Sequence, residues 1–299
     1  MNAVPAGRTL ITGAGGQVGL AVQAAIPEGW SAVPYGAAEL DVTDADRVRA
    51  VLEHERPSVV IHAAAFTAVE LAEHEVDRAE RVNVRGTANV ARAARGVGAR
   101  LIYLSTDFVF DGASSHPYVP DDPPNPLGVY GRTKLAGERE VQQILGDAAL
   151  VIRTAWVYSE HRRNFAQTML RLMREAPEVQ VVADQVGTPT WARSLALALW
   201  SACARPEVHG TLHWTDAGVA SWYDFAVAIQ EEALAVGLLD RAVPVRPLRT
   251  DQYPSRVRRP AYSVLDKSAS WRVLDAPICH WRVALRAMLQ GAARPAGHA

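Results

Sequence analysis

Cysteine is scarce: Cys203 and Cys279 are the only two among 299 residues, and neither has C-x-x-C or Cys/His ligand spacing around it. That excludes a disulfide framework and a thiolate metal centre, and makes a reduced, cytoplasmic thiol state the expectation. Net charge is also lacking. With 31 Lys+Arg against 32 Asp+Glu the formal charge is −1, so no overall field holds nucleic acid or an acidic membrane. No apolar run approaches the roughly 20 residues that cross a bilayer; the most apolar, residues 194–204, reads as a buried helix. Residues 1–10 carry neither the charged nor the apolar region of a secretion signal, so no export is expected. Internal repeats and low-complexity blocks are absent, apart from a short Ala/Gly/Pro tail from Gly291 that is expected to fray. What remains is a globular chain acting on a small ligand.

Strand-like and helix-like segments alternate through the first half: strand 9–12, helix 17–26, strand 31–34, helix 44–55, strand 58–63, helix 77–95, strand 100–105, helix 129–145 and strand 149–154. Buried-strand runs separated by amphipathic helices predict a Rossmann-type, doubly wound parallel sheet of the α/β class. The pattern then loosens into helix 164–175, strand 179–182, a turn at 186–189 and helix 191–204. A dinucleotide-binding domain over 1–157 and a smaller C-terminal substrate-binding lobe over 158–299 follow, with a segment near 188–215 expected to return to the first domain. Residues 244–260, basic and proline-bearing, read as surface loops that can cover a ligand.

Gly13-Ala-Gly15-Gly16-Gln17-Val18-Gly19 directly follows the first strand and opens a helix. Gly13 permits the tight turn, the middle glycines let backbone N–H groups approach a pyrophosphate, and Gly19 lets the helix pack on the sheet. The acidic residue that reads the adenosine ribose belongs at the end of the second strand, where the chain has Tyr35-Gly36. Neither a carboxylate nor an arginine stands there, which leaves NADPH and NADH both open. Asp41-Val42, a little later, are candidates for adenosine contacts; an exposed helix N-cap is the other reading of Asp41.

Tyr130-Gly-Arg-Thr-Lys134 sets a phenol and an ammonium one helical turn apart on one face. A phenol of pKa about 10 is a poor base at neutral pH, and a nearby ammonium together with a nicotinamide cation is expected to favour phenolate. Tyr130 can then give its proton to a forming alkoxide, with hydride from a nicotinamide. A solvated helix also carries Tyr-x-x-x-Lys by chance. Upstream, residues 101–104 form an apolar strand ending in Ser105-Thr106-Asp107, at the sheet edge where ligands bind, although turn-forming hydroxyls look the same.

With glycine loop, strand-end hydroxyls and Tyr/Lys helix in this order, the chain resembles the extended short-chain dehydrogenase/reductases. Ser105-Thr-Asp-Phe-Val-Phe-Asp-Gly112, Tyr130-Gly-Arg-Thr-Lys-Leu-Ala-Gly-Glu138, Arg153-Thr-Ala-Trp-Val-Tyr158, Asn164-Phe165 and Asp184-Gln-Val-Gly-Thr-Pro-Thr190 narrow the resemblance to the dTDP-4-dehydrorhamnose reductase family, over nearly the whole chain. The resemblance implies reduction of the 4-keto group of a dTDP-linked 4-keto-6-deoxy sugar by NADPH or NADH, dTDP-4-dehydro-L-rhamnose giving dTDP-L-rhamnose. It implies Tyr130 as proton donor, Lys134 as its electrostatic partner and nicotinamide-ribose binder, and Thr106 as the hydroxyl that tunes the phenol. Gly16, Gln17 and Val18 are assigned to the pyrophosphate, Asp41 and Val42 to the adenosine, and Ala65, Phe66, Thr67 and Leu104 to the rest of the cofactor. Thr106, Asp107, Trp156, Asn164, Gln185 and Arg259 are assigned to the sugar nucleotide; as bare sequence, a tryptophan such as Trp156 is more often a core aromatic. No metal site is indicated, and a Mg2+ requirement is left open. A monomer or homodimer is expected.

The chain departs from the family in several places. Phe66 stands where the family often has histidine, and Phe108 where it often has tyrosine. The family's Tyr-Pro-Thr-Pro-Ala-x-Arg-Pro becomes Tyr253-Pro-Ser-Arg256-Val-Arg258-Arg259-Pro260, with arginines that suit a diphosphate or form a solvated loop. A related deoxysugar 4-ketoreductase of a specialised pathway is therefore an alternative. A second is a non-catalytic partner protein like the regulatory β subunit of methionine adenosyltransferase, against which the intact Tyr130 and Lys134 argue. Sugar-nucleotide dehydratases carry an acid after the position of Asp107, and here Phe108 stands there.

Overall fold

The computed structural model describes residues 7–255 and 257–293. Its first half forms the strands β1 (Arg8–Thr12), β2 (Ser31–Tyr35), β3 (Val59–His62), β4 (Arg100–Thr106) and β5 (Ala149–Thr154). Between them run α1 (Gln17–Ala24), α2 (Ala45–Glu55), the short α3 (Val69–Ala72) and α4 (Val76–Glu80), then α5 (Thr87–Val97) and α6 (Val129–Leu145). Next come β6 (Val157–Tyr158), α7 (Phe165–Glu175), β7 (Val179–Val182), β8 (Val186–Gly187), β9 (Thr190–Trp191), α8 (Ala192–Cys203) and β10 (Gly210–His213). The chain closes with β11 (Ala220–Ser221), α9 (Trp222–Ala235), β12 (Val245–Leu248), α10 (Ser268–Leu274) and α11 (Trp281–Ala293).

The main sheet has six strands in the order β10-β5-β4-β3-β1-β2, all parallel. Every residue of β4 and β5 is buried, as expected of a parallel sheet covered on both faces. One face packs Ile61, Ile102 and Ile152 against α8 through Leu195, Leu199 and Trp200. The other packs Leu101 and Val151 against Leu52 of α2, Val90 of α5 and Val141 of α6. A further core joins Leu170 of α7, Phe225 of α9 and Leu285 of α11. Strand order reverses between β1 and β3, so the carboxyl edge there is where a doubly wound sheet holds its ligand.

Four local readings change. The helix read over 77–95 is interrupted by a π-helical stretch, Arg81–Gly86, a feature frequent at functional sites. It turns the fully buried Asn83 inward, where its carboxamide accepts from Phe66 N at 2.8 Å and donates to Phe66 O at 3.2 Å and to Thr133 Oγ1 at 3.0 Å. The expected turn at 186–189 contains β8, which pairs with β11. Within the irregular 244–260 segment, β12 runs parallel to β7. Asp41 is not the helix cap: Asp44 caps α2 by accepting from Arg47 N at 2.9 Å, while Asp41 accepts from Thr43 N and Oγ1 at 2.9 and 2.8 Å.

Cys203 and Cys279 are both free. Among the described residues, no helix is long and apolar enough to cross a membrane, and no cluster of His, Cys, Asp and Glu could hold a metal ion.

Candidate active site

A cleft of about 1230 Å³ runs along the carboxyl edge of the main sheet. Pockets for a single small ligand are commonly 300–1,000 Å³ or so, so this one has room for two. Its floor at one end is the glycine loop. Gly13 has φ +67°, and a Cβ there would stand 2.6 Å from Ala64 N. A Cβ on Gly19 would come within 2.6 Å of Ala14 Cα, so both glycines are needed for the chain to turn this tightly. Gly16 is the N-cap of α1 and brings no side-chain cap, nor is there an acidic residue in the first turn. The open N–H groups of that turn therefore favour an anion. Gly16, Gln17 and Val18 line the cleft here, and Asp41 and Val42 line it next to the loop.

Further along the wall come Ala65, Phe66 and Thr67, held by the Asn83 clamp, and Leu104 from β4. The guanidinium carbon of Arg78 lies 5.2 Å from the centre of the Phe66 ring. At the end of β4, the Thr106 hydroxyl donates to Asp107 Oδ1 at 3.1 Å and accepts from Phe108 N at 3.2 Å. Asp107 is 2% exposed, and among the described residues its Oδ2 has no hydrogen-bond partner. Burial pushes its carboxyl up to about 6, against the nearby hydroxyls of Ser263 and Thr106.

Tyr130 and Lys134 both face this end of the cleft from α6. The Phe108 ring meets Tyr130 edge-on, centroids 5.7 Å apart. The protein's own groups do not lower the phenol. Removal from water pushes it up to about 12; a Thr106 hydrogen bond opposes this and the charge of Asp107 adds to it. Burial acts on Lys134 in the other direction, to about 7, with Glu138 pulling it back up. Its Nζ lies 4.0 Å from the centre of the Tyr103 ring, which offers a buried cation its quadrupole. Glu138 itself is tied to Arg153 by hydrogen bonds of 3.0 and 2.8 Å and also bonds Ser105.

The far wall is aromatic. Trp156 has φ +47°, a conformation that costs a non-glycine residue about 1–3 kcal/mol. Its indole stacks on Trp222 at 3.5 Å, and a Cβ on Gly187 would stand 2.6 Å from it. Arg259 reaches the cleft from the last loop and forms an ion pair with Glu70. Arg258 is exposed and outside the lining, and Arg256 lies outside the described residues.

Of the described residues singled out in sequence, Asn164 and Gln185 are, like Arg258, absent from this wall. The Asn164 side chain caps α7, accepting from Gln167 N at 3.1 Å and donating to Ser159 O at 2.8 Å. Gln185 is buried and donates to Thr250 Oγ1 at 3.1 Å. Conversely, Arg78, Arg81, Arg162, Arg163 and Trp222 line the cleft without having been singled out. Only Asn164 marks its role locally, as an N-cap residue before a helical run.

The family model described as the RmlD substrate binding domain matches residues 7–294. The chain belongs to the dTDP-4-dehydrorhamnose reductase family. A dTDP-4-dehydrorhamnose reductase of Mycolicibacterium smegmatis is 42% identical, the match covering 95% of this chain and 85% of that protein. A dTDP-4-keto-6-deoxy-D-glucose reductase of Streptomyces niveus is 39% identical over 93% of this chain and 95% of its own. Among solved structures, the Bacillus anthracis dTDP-4-dehydrorhamnose reductase in complex with NADP is similar at a TM-score of 0.88 and 34% identity, covering 95% of this chain and 99% of that one. Within this family of NAD(P)H-dependent oxidoreductases, the glycine loop and the Tyr130/Lys134 helix face one cleft here.

Proposed function

We propose that this protein reduces the 4-keto group of a dTDP-linked 4-keto-6-deoxy sugar, dTDP-4-dehydro-L-rhamnose to dTDP-L-rhamnose, with NADPH or NADH. The observation that carries the reading is the single cleft joining an uncapped glycine-loop helix to Thr106, Asp107, Tyr130 and Lys134. The loop fits a dinucleotide: Gly13 and Gly19 leave no room for a Cβ, and α1 turns unpaired N–H groups toward the cleft. Gly16, Gln17 and Val18 would hold the pyrophosphate, Asp41 and Val42 the adenosine, and Lys134 the nicotinamide ribose. When bound, the nicotinamide supplies the hydride that no side chain can.

The remaining chemistry belongs to the chain. A phenol held near 12 is fully protonated at neutral pH, the form in which Tyr130 gives a proton to the oxygen of a carbonyl under reduction. Thr106 orients that oxygen beside the phenol. Trp156 offers an apolar face to the deoxy ring, and Arg259 offers a fork of N–H donors to the diphosphate.

A second reading, a related deoxysugar 4-ketoreductase, is favoured by Phe66 and Phe108, which put apolar rings in the cleft wall, and by the 39% identity to the Streptomyces niveus protein. One experiment separates the readings. Purified protein is incubated with NADPH and a panel of dTDP-4-keto-6-deoxy sugars, and each product is identified by NMR. dTDP-L-rhamnose as the main product supports the first reading and another 4-hydroxy epimer the second. Nucleotide binding with no turnover on any sugar would indicate a non-catalytic partner protein.

A further inference from the structure

We propose that Arg162, from the loop after β6, is the residue that recognises the 2′-phosphate of NADPH. This rests on the reading of the glycine-loop end of the cleft as a dinucleotide site. In a doubly wound sheet the adenosine ribose is read at the carboxyl end of the second strand, where an acid binds the diol or an arginine accommodates a 2′-phosphate. That strand ends at Tyr35, whose carbonyl accepts from Ala14 N at 3.0 Å, and the next residue is Gly36. A Cβ on Gly36 would lie 4.0 Å from Gly15 N, so the glycine loop and the strand end form one surface. No arginine is near it in sequence. One arrives in space: Arg162 Nε donates to Gly15 O at 2.8 Å, and its Nη2 would stand 3.5 Å from a Cβ at Gly15.

Three observations single out this arginine. Neither Nη1 nor Nη2 has a hydrogen bond, and no carboxylate pairs with Arg162, among the described residues. The side chain is anchored through Nε while the two outer nitrogens stay available, which is the arrangement that binds a phosphate in bidentate fashion. Second, Arg162 has φ +65°. Of the other non-glycine residues with positive φ, Arg56 and Asp275 are helix C-caps, a usual site for that conformation. Arg162 and Trp156 are not, and both line the cleft; strain held in place at a site is a mark of function. Third, the loop is tied down at its other end, where the Ser159 hydroxyl donates to Gln17 Oε1 at 2.9 Å and Asn164 Nδ2 donates to Ser159 O at 2.8 Å.

Glu39 stands beside Gly36, where an added Cβ would meet its Oε2 at 2.6 Å. Its carboxylate suits the ribose diol of NADH and repels a 2′-phosphate. Arg162 thus favours NADPH, with Glu39 acting against it.

The test is equilibrium titration of the full chain with NADP+, NAD+, 2′,5′-ADP and 5′-AMP, followed by calorimetry. The wild type is expected to bind NADP+ more tightly than NAD+, and 2′,5′-ADP more tightly than 5′-AMP. In Arg162→Ala both ratios should fall about tenfold or more, as loss of a charge-assisted contact implies. Glu39→Gln should move them the opposite way. A wild type that discriminates in neither pair, or an Arg162→Ala that keeps both ratios within about twofold while both dinucleotides still bind, overturns the assignment. So does a loss that follows Arg163→Ala instead. If the wild type binds neither NADP+ nor NAD+, the dinucleotide reading itself fails and this inference goes with it.

Discussion

The indoles of Trp156 and Trp222 lie face to face, ring centres 3.5 Å apart and planes 4° from parallel. Trp156, in its strained backbone conformation, stacks on Trp222 and passes close to the bare Cα of Gly187. Removing the partner ring should loosen the platform assigned to the deoxy sugar. Aromatic pairs contribute about 0.5–1.5 kcal/mol beyond burial. Trp222→Ala is therefore expected to raise the sugar-nucleotide KM by roughly two- to tenfold and to leave the Kd for NADP+ nearly unchanged. Equal losses for both ligands would mean that the pair only supports the fold.

Tyr130→Phe removes the transferable proton and little else. Turnover should fall roughly 10²-fold or more, the scale of general acid catalysis, while dinucleotide affinity persists. Near-normal turnover would exclude Tyr130 as the acid.

Lys134 is 3% exposed, and burial drives it down to about 7, so keeping it charged costs the fold free energy. Its lowered value means that the unfolded chain binds the extra proton above pH 7, and stability gains as pH rises from 7 toward the ordinary lysine range. Lys134→Met should accordingly hold or raise the Tm at pH 7 while turnover and cofactor affinity both drop. A lower Tm with turnover preserved would make Lys134 a structural residue.

Arg259 is paired with Glu70 across 189 residues of sequence. A diphosphate would take over the guanidinium from that carboxylate. Arg259→Ala should lose about 1.5–3 kcal/mol and raise the sugar-nucleotide KM roughly tenfold or more. Glu70→Gln should lower the same KM slightly by freeing the arginine. If neither variant moves KM, the loop is a solvated basic face.

His62 is wholly buried and its imidazole is held down to about 3 by burial first and by the charge of Lys134 second. It contacts Thr12 Oγ1 at 2.6 Å and Thr87 Oγ1 at 3.1 Å. The unfolded chain protonates this histidine near 6.5 and the folded chain does not, so stability is lost as pH falls from 6.5 toward 3. Acidification from pH 7 to pH 5 should cost the wild type about 2 kcal/mol through this group. In His62→Asn the drop in unfolding free energy over that interval should be smaller by that amount. Parallel urea denaturation curves at the two pH values test it.

The central sheet was legible because each of its strands from β1 to β5 is an apolar run followed by a helical period. The same reading assigned no element to residues 205–243, although Ser221 and Asp224 form a capping box ahead of α9. The strands there, β10 and β11, are four and two residues long, too short for alternation to register. Within the site, Gly13, Tyr130 and Lys134 were visible because local geometry fixes their spacing. Arg162, Trp222 and Asn83 were not, since their partners Gly15, Trp156 and Phe66 lie far away in sequence. Asn83 required foreknowledge of a π-turn. Burial's push on the Tyr130 phenol and the Lys134 ammonium was not visible either, because sequence reveals separation along a helix and not how much water reaches it.

The outermost strand of the main sheet, β10, is contributed by residues 210–213, after the chain has already visited the α7 region. The sheet face over β5 is likewise covered by α8. A fragment ending near residue 157 would keep the whole glycine loop and the Tyr/Lys helix, yet it would expose the unpaired edge of β5 and a bare hydrophobic face. Such edges recruit other strands. The two halves of the chain are therefore not interchangeable cassettes: replacing the residues after 157 with those of a relative requires keeping residues 192–213 of this chain.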